Sequence, residues 1–261
     1  LKLITWNVNS IRQRLPRLLA VLGRHEPDIV CLQETKVVDE AFPTMELAAA
    51  GYHPVTFGQR AYNGVATLAR QNPAHVTRGF PADPAPETSR VIACRIGDWA
   101  VINVYVVNGK AVGDPAYVTK LAWLDAFSMW IGETYDPSEL LVIVGDFNVA
   151  PDDRDVYSPE AWRGKNLATS AERERIARLR SWGLTDLSRD FFGDVEGPFT
   201  FWDYRMGAFH RGWGLRIDLA LGTSTVASRL SEVMVDREER KETTGEGKPS
   251  DHAPLIIMLR D

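Results

Sequence analysis

The sequence is short of most features that would place a protein quickly. It holds only two cysteines, Cys31 and Cys94, too few for the disulfide framework that staples small secreted domains. Both sit in apolar runs, Ile29-Val30-Cys31-Leu32 and Val91-Ile92-Ala93-Cys94, where a reduced thiol packs as a small hydrophobe. No apolar run approaches the roughly 20 residues that a membrane-spanning helix needs, and Leu1 to Asn9 is too short and too interrupted for a signal peptide. Low-complexity blocks and short tandem repeats are missing too, and the 15 prolines and 20 glycines are scattered rather than pooled in a linker. Nor is there an excess of positive charge. A net charge of −5 and a pI near 5.6 argue against a protein that coats nucleic acid through charge alone. They leave room for carboxylates gathered around a metal ion in one cleft, with Lys and Arg on its rim. The expectation is an intracellular, monomeric protein with no membrane association, one domain over residues 1–261.

What is present is a mixture of short apolar runs and helical patterns. Strands are expected at Lys2 to Asn7, Asp28 to Glu34, Gly64 to Arg70, Arg90 to Ile96, Ala100 to Val106, Leu140 to Asp146, Arg216 to Leu221 and Leu255 to Arg260, most of them apolar on both faces. Leu15, Leu18, Leu19 and Leu22 repeat at helical spacing beside a proline acceptable in a first turn, and Tyr117, Leu121, Leu124 and Ile131 mark a longer helix. Thr169 and Glu172 have capping-box spacing, with Gly183 placed to end that helix after Trp182. This order reads as an α/β (α+β) fold of sheets covered by helices. A rough echo between Ile4-Thr5-Trp6-Asn7-Val8 and Val144-Gly145-Asp146-Phe147-Asn148-Val149 suggests a duplicated half. Asp236 to Ser250, rich in charge, reads as a solvated, mobile loop.

Several apolar runs end in polar residues that such runs have reason to avoid. Glu34 closes Asp28-Ile29-Val30-Cys31-Leu32-Gln33-Glu34. A carboxylate at the mouth of a buried sheet is costly unless something pairs with it, and a hard divalent cation does so; a strand-end acid in water is the alternative. Asp146 and Asn148 follow Leu140-Leu141-Val142-Ile143-Val144-Gly145. At alternate positions of an extended chain they offer an acceptor and a donor to a phosphate or a metal-bound water, unless they only form an Asx-type turn. Gly145 lets the backbone turn sharply or approach a ligand. Asp218 is a charge inside Arg216-Ile217-Asp218-Leu219-Ala220-Leu221 and needs a partner. His252, in Ser250-Asp251-His252-Ala253-Pro254-Leu255, is the candidate. A carboxylate on one imidazole nitrogen favours the protonated ring and leaves the other nitrogen to donate to a phosphate oxygen. Taken alone, His252 is as readily an ordinary loop histidine.

Together these blocks are specific. Trp6-Asn7-Val8-Asn9, Leu32-Gln33-Glu34-Thr35-Lys36, Gly145-Asp146-Phe147-Asn148, Leu215-Arg216-Ile217-Asp218 and Ser250-Asp251-His252-Ala253-Pro254-Leu255 resemble, in order, the signature blocks of the exonuclease III / apurinic-apyrimidinic endonuclease family, and the resemblance runs from Lys2 to Arg260. It implies a DNase I-like, four-layered αββα sandwich of two mostly antiparallel sheets with helices outside. It also implies Glu34 as principal ligand of Mg2+, which Mn2+ would replace, with Asn7 and Asp251 assisting. Asp218 and His252 would be an orienting pair, and Asn148 and Tyr105 would hold the scissile phosphate. Asp146 would activate water, with its use as base, as leaving-group acid or as both in turn left open. The family's usual Tyr, any residue, Pro, Asn, Gly is here Tyr105-Val106-Val107-Asn108-Gly109, so Val107 in place of the proline is expected to loosen that loop.

The substrate implied is double-stranded DNA with abasic sites or 3′ ends. Phe199-Thr200-Phe201-Trp202-Asp203-Tyr204-Arg205 and Phe209-His210-Arg211-Gly212-Trp213 interleave aromatic and basic residues, suited to gripping phosphates and stacking on bases, although Trp202 is as readily core. By the resemblance, Phe201, Leu215 and Ile217 line a pocket for a flipped-out baseless deoxyribose. Lys36, Arg90, Arg205 and Arg211 are candidate phosphate contacts on the rim, Arg90 by resemblance and the others by composition. The competing readings are a same-fold phosphodiesterase acting on inositol phosphates or as a general DNase, and a DNA-binding relative without catalysis.

Overall fold

A strand that is apolar on both faces must be covered on both sides, and this chain provides the layers to do it. The computed structural model describes residues 1–260. Its strands are β1 (Lys2–Asn7), β2 (Ile29–Gln33), β3 (His53–Phe57), β4 (Val65–Ala69), β5 (Ala74–Arg78), β6 (Val91–Ile96), β7 (Trp99–Tyr105), β8 (Leu141–Asp146), β9 (Leu184–Asp186), β10 (Asp218–Thr223), β11 (Leu230–Val235) and β12 (Leu255–Leu259). Its longer helices are α1 (Ile11–His25), α2 (Thr44–Ala49), α3 (Pro115–Thr134), α5 (Ser170–Trp182) and α6 (Leu187–Phe192), with a single turn α4 (Pro159–Trp162).

Two six-stranded sheets form, in the orders β11-β12-β1-β2-β4-β3 and β5-β6-β7-β8-β10-β9. In each, one pair is parallel, β1 with β2 and β7 with β8, and every other pairing is antiparallel. Alternation along the strands distributes the side chains. Ile4, Trp6, Val30 and Leu32 point outward to Ile11, Leu18, Val21 and Leu22 of α1 and Leu47 of α2, while Leu3, Ile29 and Cys31 point inward to Cys94, Val101, Val142 and Val144 of the other sheet. The outer face of the second sheet packs on Trp123, Phe127 and Ile131 of α3 and Ile176 and Leu179 of α5. The layers are therefore helix, sheet, sheet, helix, as the resemblance implies. Both cysteines are free and buried between the sheets, and burial pushes the Cys94 thiol up to about 12. Gln33 Nε2 donates across the same interface to Asn103 Oδ1 at 2.8 Å, joining the sheets close behind Glu34 and Tyr105.

All eight expected strands form. The four that sequence pattern missed, β3, β5, β9 and β11, are the four sheet edges. The two sheets repeat one order of pairings with one central parallel pair, which fits a duplicated half, but the echo was out of phase. The match sets β1 beside β7 and β2 beside β8, so Glu34 after β2 corresponds to Asp146 at the end of β8.

Two expectations are corrected. Pro16 lies inside α1, not in its first turn, because the helix already starts at Ile11. The segment from Asp236 to Ser250 is anchored, not merely solvated. Arg17 of α1, fully buried, donates to the carbonyls of Glu239, Lys241, Glu242, Gly245 and Gly247 at 2.9 to 3.4 Å, and Glu239 and Arg240 are themselves buried. The capping box of α5 forms as expected, Thr169 Oγ1 accepting from Glu172 N at 3.2 Å and Glu172 Oε2 accepting from Thr169 N at 2.9 Å. Among the described residues no helix is long and apolar enough to cross a membrane.

Candidate active site

Parallel pairing sends β1 and β2 of one sheet, and β7 and β8 of the other, to a common rim. The antiparallel β10 starts there, with Asp218 opposite Asp146, and the segment entering β12 brings His252 to the same place.

At that rim Asn7 Nδ2 donates to Glu34 Oε1 at 2.8 Å and to Asp146 Oδ2 at 2.9 Å, bridging two acids from different sheets. His252 Nδ1 donates to Asp218 Oδ2 at 2.8 Å, and its Nε2 lies 3.8 Å from Asp146 Oδ2. Glu34, Asp146, Asp218 and His252 are thus one constellation. The imidazole is held by its own backbone: His252 N donates to Ser250 Oγ at 3.2 Å, Ser250 Oγ to the Asn7 carbonyl at 2.7 Å, and Trp6 Nε1 to the His252 carbonyl at 3.1 Å. Asp218 is aligned by its backbone N–H on Thr200 Oγ1 at 3.1 Å, and its Oδ1 is buried without a hydrogen-bond partner. Asp146 Oδ1 accepts from Asn148 N at 2.9 Å, Asn148 Nδ2 donates to the Val106 carbonyl at 2.9 Å, and Asn108 Nδ2 donates to Asn148 Oδ1 at 2.8 Å.

Backbone shape brings these groups close. A Cβ on Gly145, whose φ is +148°, would lie 1.9 Å from the Val104 carbonyl oxygen of neighbouring β7, so only glycine lets the strands approach. Glu34 and Asn148 hold positive φ values of 52° and 50°, conformations that cost energy outside glycine and are kept where the surroundings enforce them.

Burial and crowding of charge decide protonation. Burial raises the Asp146 carboxyl pKa, and Asp218 and Glu34 add to it against the opposing pull of His252. Burial alone would lower the His252 pKa, but Asp218 and then Asp146 outweigh it and favour the imidazolium. Glu34 is held below the usual carboxylate range despite its burial, by Lys36 and by the Asn7 hydrogen bond. Tyr105 is kept a phenol by burial and by the negative charge of Glu34 and Asp146.

The remaining sequence candidates divide. Lys36 Nζ stands 2.8 Å from Glu34 Oε2. Asp251 Oδ1 accepts from Asn9 Nδ2 at 3.0 Å. Asn7 turns its nitrogen, not its oxygen, to Glu34; the oxygen accepts from Asn9 N at 3.0 Å. Phe201, Leu215 and Ile217 come together with Val156, Trp162 and Leu167, and the Phe201 ring centre lies 4.9 Å from that of His252.

Two placements, Arg90 and Val107, are corrected, and the open alternative at Trp202 is decided. Arg90 is not on the rim: it is buried, stacked 4.8 Å over the Tyr105 ring, and donates to the Tyr105 carbonyl at 3.2 Å, so it positions that tyrosine. Trp202 is core, packed against Phe199 and Phe209. Val107 does not leave its loop loose, being buried beneath α3. Arg205 is exposed and forked on Asp203, and Arg211 lies 4.6 Å over Trp213; both lie on the segment beyond Trp202. Sequence reading assigned no role to Asn9, Asn108 or Thr200, although each lies inside a block already singled out. Among the described residues no three Asp, Glu, His or Cys side chains form a ready metal cage.

Comparison with known proteins agrees with this geometry. Residues 4–252 match the model of the Endonuclease/Exonuclease/phosphatase family. Exodeoxyribonuclease III of Haemophilus influenzae is 34% identical over 98% of both chains. A 3′ phosphatase from Neisseria, solved with a product DNA hairpin, superposes with a TM-score of 0.95 at 39% identity over 100% of this chain and 99% of that one. An AP endonuclease from Archaeoglobus fulgidus does so at 0.94 and 35%, over 99% of each chain. With its acids, amides and imidazole gathered at one rim, the chain belongs to the Endonuclease/Exonuclease/phosphatase family and to its bacterial exonuclease III type.

Proposed function

We propose that this protein is a Mg2+-dependent DNA phosphodiesterase that incises the backbone 5′ to abasic sites and removes blocking groups or nucleotides from 3′ ends, with Mn2+ able to replace Mg2+. The observation that carries the reading is the Asn7 amide spanning Glu34 and Asp146, with the Asp218–His252 pair 3.8 Å away. An acidic edge able to attract a cation, a carboxylate able to activate water and a cationic donor, all at one rim, support this reading. The names of the relatives point to the same chemistry.

The residues fit a magnesium ion. Mg2+ keeps several waters and takes one or two carboxylates rather than an all-protein cage. Glu34 meets that need, with its Oε2 already drawing the Lys36 ammonium to 2.8 Å. Asp251 would complete the set through water, and Asn7 would fix the direction of Glu34. When bound, the ion would supply charge stabilisation to the phosphate and the leaving 3′-oxygen. The chain's own groups do the rest. His252 Nε2 donates to a non-bridging oxygen as its charge grows, with Asp218 holding the ring. Asp146 takes a proton from water, and Asn148 and Tyr105 offer further donors. The apolar wall of Phe201, Leu215, Ile217 and Leu167 suits a deoxyribose without its base. A relative named for exodeoxyribonuclease activity and another solved with a product DNA hairpin favour DNA over a polyphosphorylated inositol. Two buried, unpaired thiols suit a reducing interior, and we place the protein inside the cell as a monomer.

The test is a duplex carrying one abasic site, incubated with Mg2+ or with chelator, beside a hairpin ending in a 3′-phosphate. The expected result is Mg2+-dependent nicking beside the lesion and release of phosphate from the hairpin. Binding to both DNAs without either product would show a binding protein that has lost catalysis.

A further inference from the structure

We propose that Lys120 is a positioning residue for this reaction, acting through Asn148; the inference rests on the reading of Asn148 as a phosphate-holding group. Lys120 lies on α3, outside every motif block, and is the one fully buried lysine among the described residues. A buried ammonium is costly, and a Leu or Met of similar length would pack there without that penalty. The charge therefore needs a reason beyond filling space.

Its three donors supply one. Lys120 Nζ donates to the Asn148 carbonyl at 2.6 Å, to Asn166 Oδ1 at 3.2 Å and to Glu172 Oε1. Asn166 in turn donates to the Asn108 carbonyl at 2.9 Å, and Asn108 Nδ2 donates to Asn148 Oδ1 at 2.8 Å. The ammonium thus grips Asn148 twice, directly at its main chain and through two amides at its side chain. With Asn148 Nδ2 committed to the Val106 carbonyl by one hydrogen and Asn148 Oδ1 held by Asn108, the ring of bonds fixes the amide plane and with it the direction of the remaining N–H. It also holds the residue at its φ of 50°. Glu172 ties the device to the apolar wall, since its Oε1 accepts from Leu167 N at 3.0 Å and its Oε2 from Thr169 Oγ1 at 2.7 Å.

The alternative is that the Lys120–Glu172 pair only joins α3 to α5, in which case it affects stability and not turnover. Four variants separate the two: Lys120→Met, Lys120→Met with Glu172→Gln, Asn148→Ala, and Asn148→Ala with Lys120→Met, all read by steady-state cleavage of an abasic duplex and by Tm. Lys120→Met is expected to lower kcat roughly 10- to 100-fold with KM within about twofold, and to lower Tm because the Glu172 charge is stranded. Adding Glu172→Gln is expected to return most of the Tm and none of the kcat. In the Asn148→Ala background, Lys120→Met is expected to change kcat by less than about twofold, because the two act as one unit. Recovery of kcat together with Tm, or full multiplication of the two losses, would overturn the proposal. Near-normal kcat in Lys120→Met with Asn148→Ala strongly impaired would overturn it while leaving Asn148's role standing. A fully active Asn148→Ala enzyme would remove both.

Discussion

Asn7 ties the two sheets together at the site with a single amide group. Glu34 and Asp146 come from opposite sheets and would repel each other across the rim; one NH2 group donating to both holds them a fixed distance apart. Roles differ because surroundings differ. Lys36 keeps Glu34 ionised, whereas Asp146 is buried against Asp218 and shares its charge with His252. Asp146→Asn and His252→Asn should each lower kcat by about 10²- to 10³-fold while DNA affinity measured by anisotropy changes little; activity near normal in either would remove that residue from the chemistry. Glu34→Ala should raise the Mg2+ concentration needed for half-maximal rate by about tenfold or more, and an unchanged titration would take Glu34 off the ligand list. These residues were legible in the sequence because a carboxylate closing or interrupting an apolar strand demands a partner, and Asp218 and His252 proved to be each other's. Arg90 was misplaced, and Trp202 left undecided, for the converse reason: a sequence block identifies an arginine or an indole but not the face of the sheet or loop it occupies.

Among the elements, the segment after β11 shows how much a single side chain can organise. Arg17 reaches out of α1 and spends its donors on five carbonyls, so a stretch that reads as solvated charge is pinned next to Ser250 and His252. Arg17→Met should cost about 3 kcal/mol in urea unfolding, through acceptors left buried without donors. It should also lower kcat on abasic DNA, since the chain leading into His252 loses its anchor. A variant as stable as the parent would show that water replaces the guanidinium there. Nothing in the sequence announces this role, because Arg17 falls on a helix whose leucines carry the visible pattern. The edge strands were hidden for a related reason: β5 and β11 are exposed or half-exposed along most of their length, and polar, half-solvated residues erase the apolar runs that reveal central strands.

Across the whole molecule, a net negative charge coexists with a polar groove beside the site, lined by Arg14, Lys36, Arg240, Lys241 and Lys248 together with Asp203 and Glu242. Bases outnumber acids along this groove, while acids gather at the rim. Raising salt from about 50 to 200 mM should therefore lower kcat/KM on duplex DNA roughly tenfold or more. A rate flat across that titration would mean that the groove does not meet phosphates.

The position of β12 carries one more consequence. It is wedged between β1 and β11, so the first strand of the molecule is backed by the last, and the Asn7 carbonyl meets the Ser250 hydroxyl that holds the His252 backbone only when both are in place. A chain clipped or stalled before Ser250 keeps three of the four acids yet has no histidine to face the phosphate and no cover for one side of β1. Purified residues 1–249 should therefore neither fold cooperatively nor nick DNA. One strand thus carries both the closure of a sheet and the arrival of the histidine.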